Sequence, residues 1–97
     1  MALELDGVLI DANNISDNYT INADCGRVWI TAGEAICWVN NDRVTAASLL
    51  FANLETVDQT AKSAFISEAA AGSFVVRLDH PATDPVSIGF LVVTPIL

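Results

Sequence analysis

Few side chains in this sequence belong to the types that carry out covalent chemistry. His80 is the single histidine, in Asp79-His80-Pro81, and the two cysteines are Cys25 and Cys37. A Cys–His pair catalyses acyl transfer when a thiolate, a base and a group that orients the base converge. His80 alone cannot assemble that set, and no G-x-S-x-G, H-E-x-x-H, phosphate-loop or dinucleotide phrase occurs. No catalytic residue is assigned, and the chain is not expected to be an enzyme. Oxygen ligands for calcium exist as Asp11, Asp17 and Asp24 near the start and as Asp79 and Asp84 around one loop. The EF-hand spacing is absent, so these read as turn residues. A cysteine pair falls short of the four ligands of a structural zinc site. Neither a metal nor a cofactor is expected. Trp29 and Trp38 could form a sugar platform, a core pair or a subunit contact, and the last two are the commoner uses of paired tryptophans.

These residues have to be positioned by short strands. Segments rich in β-branched and aromatic residues alternate with polar turns, which predicts strands at 7–10, 19–22, 27–31, 35–39, 48–53, 64–68, 73–78 and 86–94. Turn chemistry separates them at Asp24 and Gly26, Ala32-Gly33, Asn40-Asn41-Asp42, Ala71-Gly72 and the Asp79 to Pro85 loop. The fold class is all-β, a small β-sandwich or jelly-roll-like domain of about seven or eight short strands, and the 97 residues are expected to form one β domain. The alternative is an α+β fold with a helix within 45–70, where Leu50, Leu54, Val57, Ala61 and Ala64 recur at intervals of three and four. Trp29 and Trp38 fall on successive strands joined by the Gly33 turn, where they would stack across a hairpin. Cys25 and Cys37 either bridge that hairpin or stand as two buried thiols. MALELDGVLI has no basic region ahead of an apolar run and so does not read as an export signal, which favours thiols.

Alternation assigns the faces. In SFVVRL, Phe74, Val76 and Leu78 share the side expected to be core. In the last strand Val86, Ile88, Phe90 and Val92 form one face, yet Leu91 and Val93 on the other face are also apolar, the pattern of a strand covered on both sides.

Composition says what the cover is. Arg27, Arg43, Lys62 and Arg77 face 12 acidic residues, for a net charge of −8. Nucleic acid, which is bound by clustered cations that neutralise phosphates, is excluded as a partner, and an anionic membrane surface is disfavoured for the same reason. The apolar run from Ile88 to Val93 is far shorter than the roughly 20 residues of a bilayer span. Hydrophobic residues make up 53% and charged residues 16%, a rich balance for so small a domain. Part of that apolar surface is expected to meet protein, with Leu91, Val93, Trp29, Trp38, Leu3 and Leu5 as interface candidates.

The order of phrases from Arg43 onward, RVTAASLLFANL, AFISEAAAGSFVVRL and VSIGFLVVTP, resembles a small β module of tailed-phage virion proteins found in capsid decoration proteins and in fibre or tail tips. The likeness covers a little over half the chain and consists of strand patterns rather than reactive groups. It departs at Leu49-Leu50-Phe51, where a basic residue often precedes the strand, and in the acidic Glu55 to Asp58 loop. The resemblance implies a homotrimer displayed on a virion, most concretely a capsid decoration or cement protein bound to other virion proteins. A tail-fibre, receptor-binding or carbohydrate-binding module is the alternative. Docking would fall to segments near the termini, Met1 to Asp6 or Thr94 to Leu97.

Overall fold

The computed structural model describes residues 2–5, 8–11 and 17–96, the first two stretches as strand backbone alone. Among the described residues there are nine strands and no helix: β1 (Ala2–Leu5), β2 (Val8–Asp11), β3 (Asp17–Thr20), β4 (Cys25–Ile30), β5 (Ile36–Asn40), β6 (Leu49–Leu54), β7 (Ala64–Ala70), β8 (Ser73–Leu78) and β9 (Val86–Val93). The fold is all-β. The helical alternative for 45–70 is overturned, because β6 and β7 occupy half of that stretch and none of the rest is helical. Leu50 and Leu54 satisfy a period of two as well as they do the helical spacing, and the Thr- and Val-containing segment between the strands forms a loop.

β1 and β2 form a hairpin, β3-β5-β8-β7 a four-stranded sheet and β4-β9-β6 a three-stranded sheet. All pairings are antiparallel except β3 with β5. The four-stranded and three-stranded sheets pack as a small sandwich. Cys37, Val39, Phe74, Val76 and Leu78 from one meet Val28, Ile30, Val86, Ile88, Phe90 and Val92 from the other. The faces predicted for β8 and β9 are therefore the ones found. Phe74 and Phe90 join the sheets edge to face, with ring centroids 5.3 Å apart, a geometry the ring quadrupoles favour. Gly26 makes room for this pair, since a Cβ there would stand 2.9 Å from the Phe90 ring.

Trp29 and Trp38 do not stack. β4 and β5 follow one another in sequence but lie in different sheets, so the Gly33 turn carries the chain across the sandwich instead of closing a hairpin. Gly33 has a φ of 86°, the left-handed backbone that side chains strain. Its N–H donates to the Ala82 carbonyl at 2.7 Å, which ties the crossing to the loop before β9.

Candidate functional site

The outward face of the three-stranded sheet is the candidate site, and its layout follows from register. Inward-pointing residues of β4, β9 and β6 build the core, which leaves Cys25, Arg27 and Trp29 of β4, Ser87, Gly89, Leu91 and Val93 of β9, and Leu49, Phe51 and Asn53 of β6 on the other side. Val93 pairs with Leu49, and the next row across the sheet is Cys25, Leu91 and Phe51. Then come Arg27, Gly89 and Asn53, and beyond them Trp29 beside Ser87. One half of the face is apolar and the other polar. Leu49, Phe51, Leu91 and Val93 are between 39% and 54% exposed. Scattered exposed apolar side chains are ordinary, but neighbouring ones in register form a patch.

The polar half is organised by one ion pair. Arg27 Nε donates to Glu55 Oε1 at 2.6 Å and Arg27 Nη2 to Glu55 Oε2 at 3.0 Å, a bidentate fork. The fork crosses β9 above Gly89, where a Cβ would touch the Glu55 carboxylate at 3.5 Å. The Arg27 hydrogen bond holds the Glu55 carboxyl below the usual carboxylate range, and Glu55 in turn raises Arg27. Beside Gly89 a shallow trough of about 220 Å³ runs between Phe51, Asn53 and Leu91. Trp29 stands 48% exposed at the far end, and the Tyr19 hydroxyl donates to its carbonyl at 3.0 Å.

The interface candidates separate. Leu91, Val93 and Trp29 lie together on this face. Trp38 is a correction, being only 1% exposed. It packs with Val75 on the far side of the four-stranded sheet, flanked by Ile36 and Ala70, and its indole N–H donates to Asn40 Oδ1 at 2.9 Å. Leu3 and Leu5 lie on β1, and their side chains are outside the described residues. Sequence reasoning missed Leu49 and Phe51, although the run LLFANL carries the same two-sided apolar signal as β9. It also missed the Arg27–Glu55 pair, whose partners are brought together only by register.

Several of the remaining candidates are engaged within the fold. Cys25 and Cys37 are free thiols in different sheets, and only Cys37 is buried as expected, Cys25 being exposed on the outward face. Burial first, and Asp17 second, push the Cys37 thiol up to about 12, so it supplies no thiolate at neutral pH. His80 is exposed, with Nδ1 3.2 Å from Asp79 Oδ2. Among the described residues no group of three or more His, Cys, Asp or Glu side chains could hold a metal ion. Asp17 bonds the Thr31 amide and hydroxyl, and Asp79 accepts the Lys62 and Ser63 amides. The Asp11 side chain is outside the described residues.

Asp58 is a heavily bonded carboxylate. It accepts the amides of Thr60, Ala61, Thr83 and Asp84 together with the Thr60 hydroxyl. The Ala61 amide first, then Thr83, Asp84 and Thr60, hold its carboxyl far below the ordinary 3.8 against the opposing effect of burial. This clamp joins the loop before β7 to the loop before β9. Its oxygens are occupied by the fold and are not offered to a ligand.

No family model, curated protein or solved structure matches this chain. The site is therefore read from its own geometry.

Proposed function

We propose that the protein is a structural docking module, a rigid β-sandwich that assembles with copies of itself and packs on larger protein surfaces, as a capsid decoration or cement protein does on a virion. One observation carries this reading: a chain of net charge −8 leaves an apolar sheet face open to solvent. A patch of several exposed apolar side chains rimmed by polar groups marks a contact surface. The virion setting rests on the resemblance of the second half of the chain to decoration modules. On a capsid lattice, many modest contacts would sum to useful stability. The segments Met1 to Asp6 and Thr94 to Leu97 are the proposed attachments to the particle.

The test is to express a tagged copy during virion assembly, purify the particles and count bound copies per lattice point. Near-lattice stoichiometry is expected, and particles free of the tagged chain would overturn the virion reading. Deleting residues 1–6 with no change in binding would exclude the N-terminal attachment.

The exposure of Trp29 beside Arg27, Asn53 and Glu55 favours carbohydrate binding as a second reading. Because Trp38 is buried, a fluorescence change on glycan binding would report Trp29 alone. A flat response across a broad glycan panel would exclude that reading.

A further inference from the structure

We infer that the open face of β4-β9-β6 is closed by the same face of a second copy of this chain, related by a two-fold axis between the two sheets. This deepens the docking reading and rests on it. The first argument is charge. Among the described residues the charged side chains on the face are Arg27 and Glu55, which neutralise each other through their bidentate contact, while the chain carries −8 overall. Two copies meeting here bring together neutral surfaces. Contact through most other parts of so acidic a molecule would set like charge against like.

The second argument is area. Leu49, Phe51, Leu91, Val93 and Trp29 together expose roughly 400 Å² of apolar surface, taking about 150–250 Å² for each fully exposed large side chain. With Cys25, Arg27, Asn53 and Glu55 the face approaches the ~800 Å² that each partner contributes to a stable interface. Burial of the apolar part at about 25 cal/mol per Å² yields a driving force adequate for association, before the entropic cost of docking.

The third argument is symmetry. A two-fold contact needs one patch complementary to itself, and a sheet face with a central row of Cys25, Leu91 and Phe51 is such a patch at the ~10 Å spacing of stacked sheets. A three-fold contact needs a second, different patch to receive the first. The two-fold arrangement therefore replaces the homotrimer that the resemblance implies.

The experiment is the solution mass of the full chain by light scattering and sedimentation over a wide concentration range, at low and high salt. A mass of two chains is expected, with tighter association at high salt because screening weakens repulsion between two acidic copies. Leu91→Asp and Phe51→Glu, made separately, are each expected to weaken association by about 100-fold while leaving circular dichroism, and the urea midpoint of the dilute single-chain protein, near wild type. Alkylation of Cys25 is expected to slow by at least about 10-fold at concentrations where two-chain species dominate. A single-chain mass at the highest concentration would overturn the inference, as would a three-chain mass or a two-chain mass that survives both substitutions. A single-chain protein still bound to particles defeats the two-fold contact and leaves the docking reading standing. A two-chain protein never found on particles does the reverse.

Discussion

Trp29 and Trp38 are the same side chain on consecutive strands, each on the outward face of its sheet, and one is half exposed while the other is sealed. The two also differ in the neighbours that register supplies. Trp38 lies beside Val75 on β8 and satisfies its indole N–H through Asn40. Trp29 lies beside Ser87, in the half of its sheet governed by the Arg27–Glu55 pair. The row of Trp38 and Val75 is thus sealed and the row of Trp29 open, although Phe65 on the outward face of the four-stranded sheet is itself 44% exposed. What a residue contributes depends on its row across the sheet as much as on its type.

The contrast is most directly broken through the tryptophans. Trp38→Ala is expected to cost about 3–5 kcal/mol in urea unfolding, the usual range for a large buried aromatic. Trp29→Ala is expected to cost under about 1 kcal/mol in the dilute protein. Equal losses would mean that the two faces are not differently covered.

The next pair is the two carboxylates held low by different partners. Asp58 owes its depressed pKa to loop amides, and Glu55 owes its own to Arg27 on the open face. A carboxylate with a lowered folded pKa contributes stability above its unfolded value, which for Asp58 is near 3.8, and that stability is lost as pH falls through the folded pKa. Thermal stability should therefore decline progressively below about pH 4. Asp58→Asn is expected to flatten that acid limb and to lower the melting temperature at neutral pH by on the order of 10 °C. Glu55→Gln is expected to move it little, because exposed ion pairs are screened by solvent. A larger loss at Glu55 would place structural weight on the open face.

The last pair is the two thiols, whose contrast in stability is silent at neutral pH and emerges only in alkali. Cys37 is a neutral thiol with its folded pKa raised from 9.0 to about 12, so stability is full below 9.0 and is lost as pH rises toward 12. Thermal scans across that window should show the decline, and Cys37→Ala should remove it. In alkylation at neutral pH, Cys25 of the dilute protein should react promptly and Cys37 only through unfolding, slower by about 1,000-fold or more. Comparable rates would mean that the core around Cys37 opens locally.

Strand positions were largely legible in the sequence, because period-two alternation and turn residues are local signals. SFVVRL is found as the strand Ser73–Leu78, with Phe74, Val76 and Leu78 in the core. The two-sided apolar character of β9 was legible as well, and it led to Leu91 and Val93. The hairpin expected around Gly33 was not formed. A turn specifies a reversal of direction, but whether the chain returns to the same sheet or crosses to the facing one depends on which strands compete for each edge. Here β5 takes β3 and β8 as neighbours, while β4 takes β9.

The sequence by itself determined the all-β character, the inward faces of β8 and β9, the acidity, and the lack of a recognisable catalytic phrase. Each follows from residue types and spacings of a few positions. Only the tertiary structure decided that Trp38 is sealed and Trp29 open, that Arg27 meets Glu55 over Gly89, that Asp58 clamps two loops, and that Leu49 and Phe51 join Leu91 and Val93. These relations join residues distant in sequence, and the register and sheet order that bring them together are settled by packing the four-stranded and three-stranded sheets against each other.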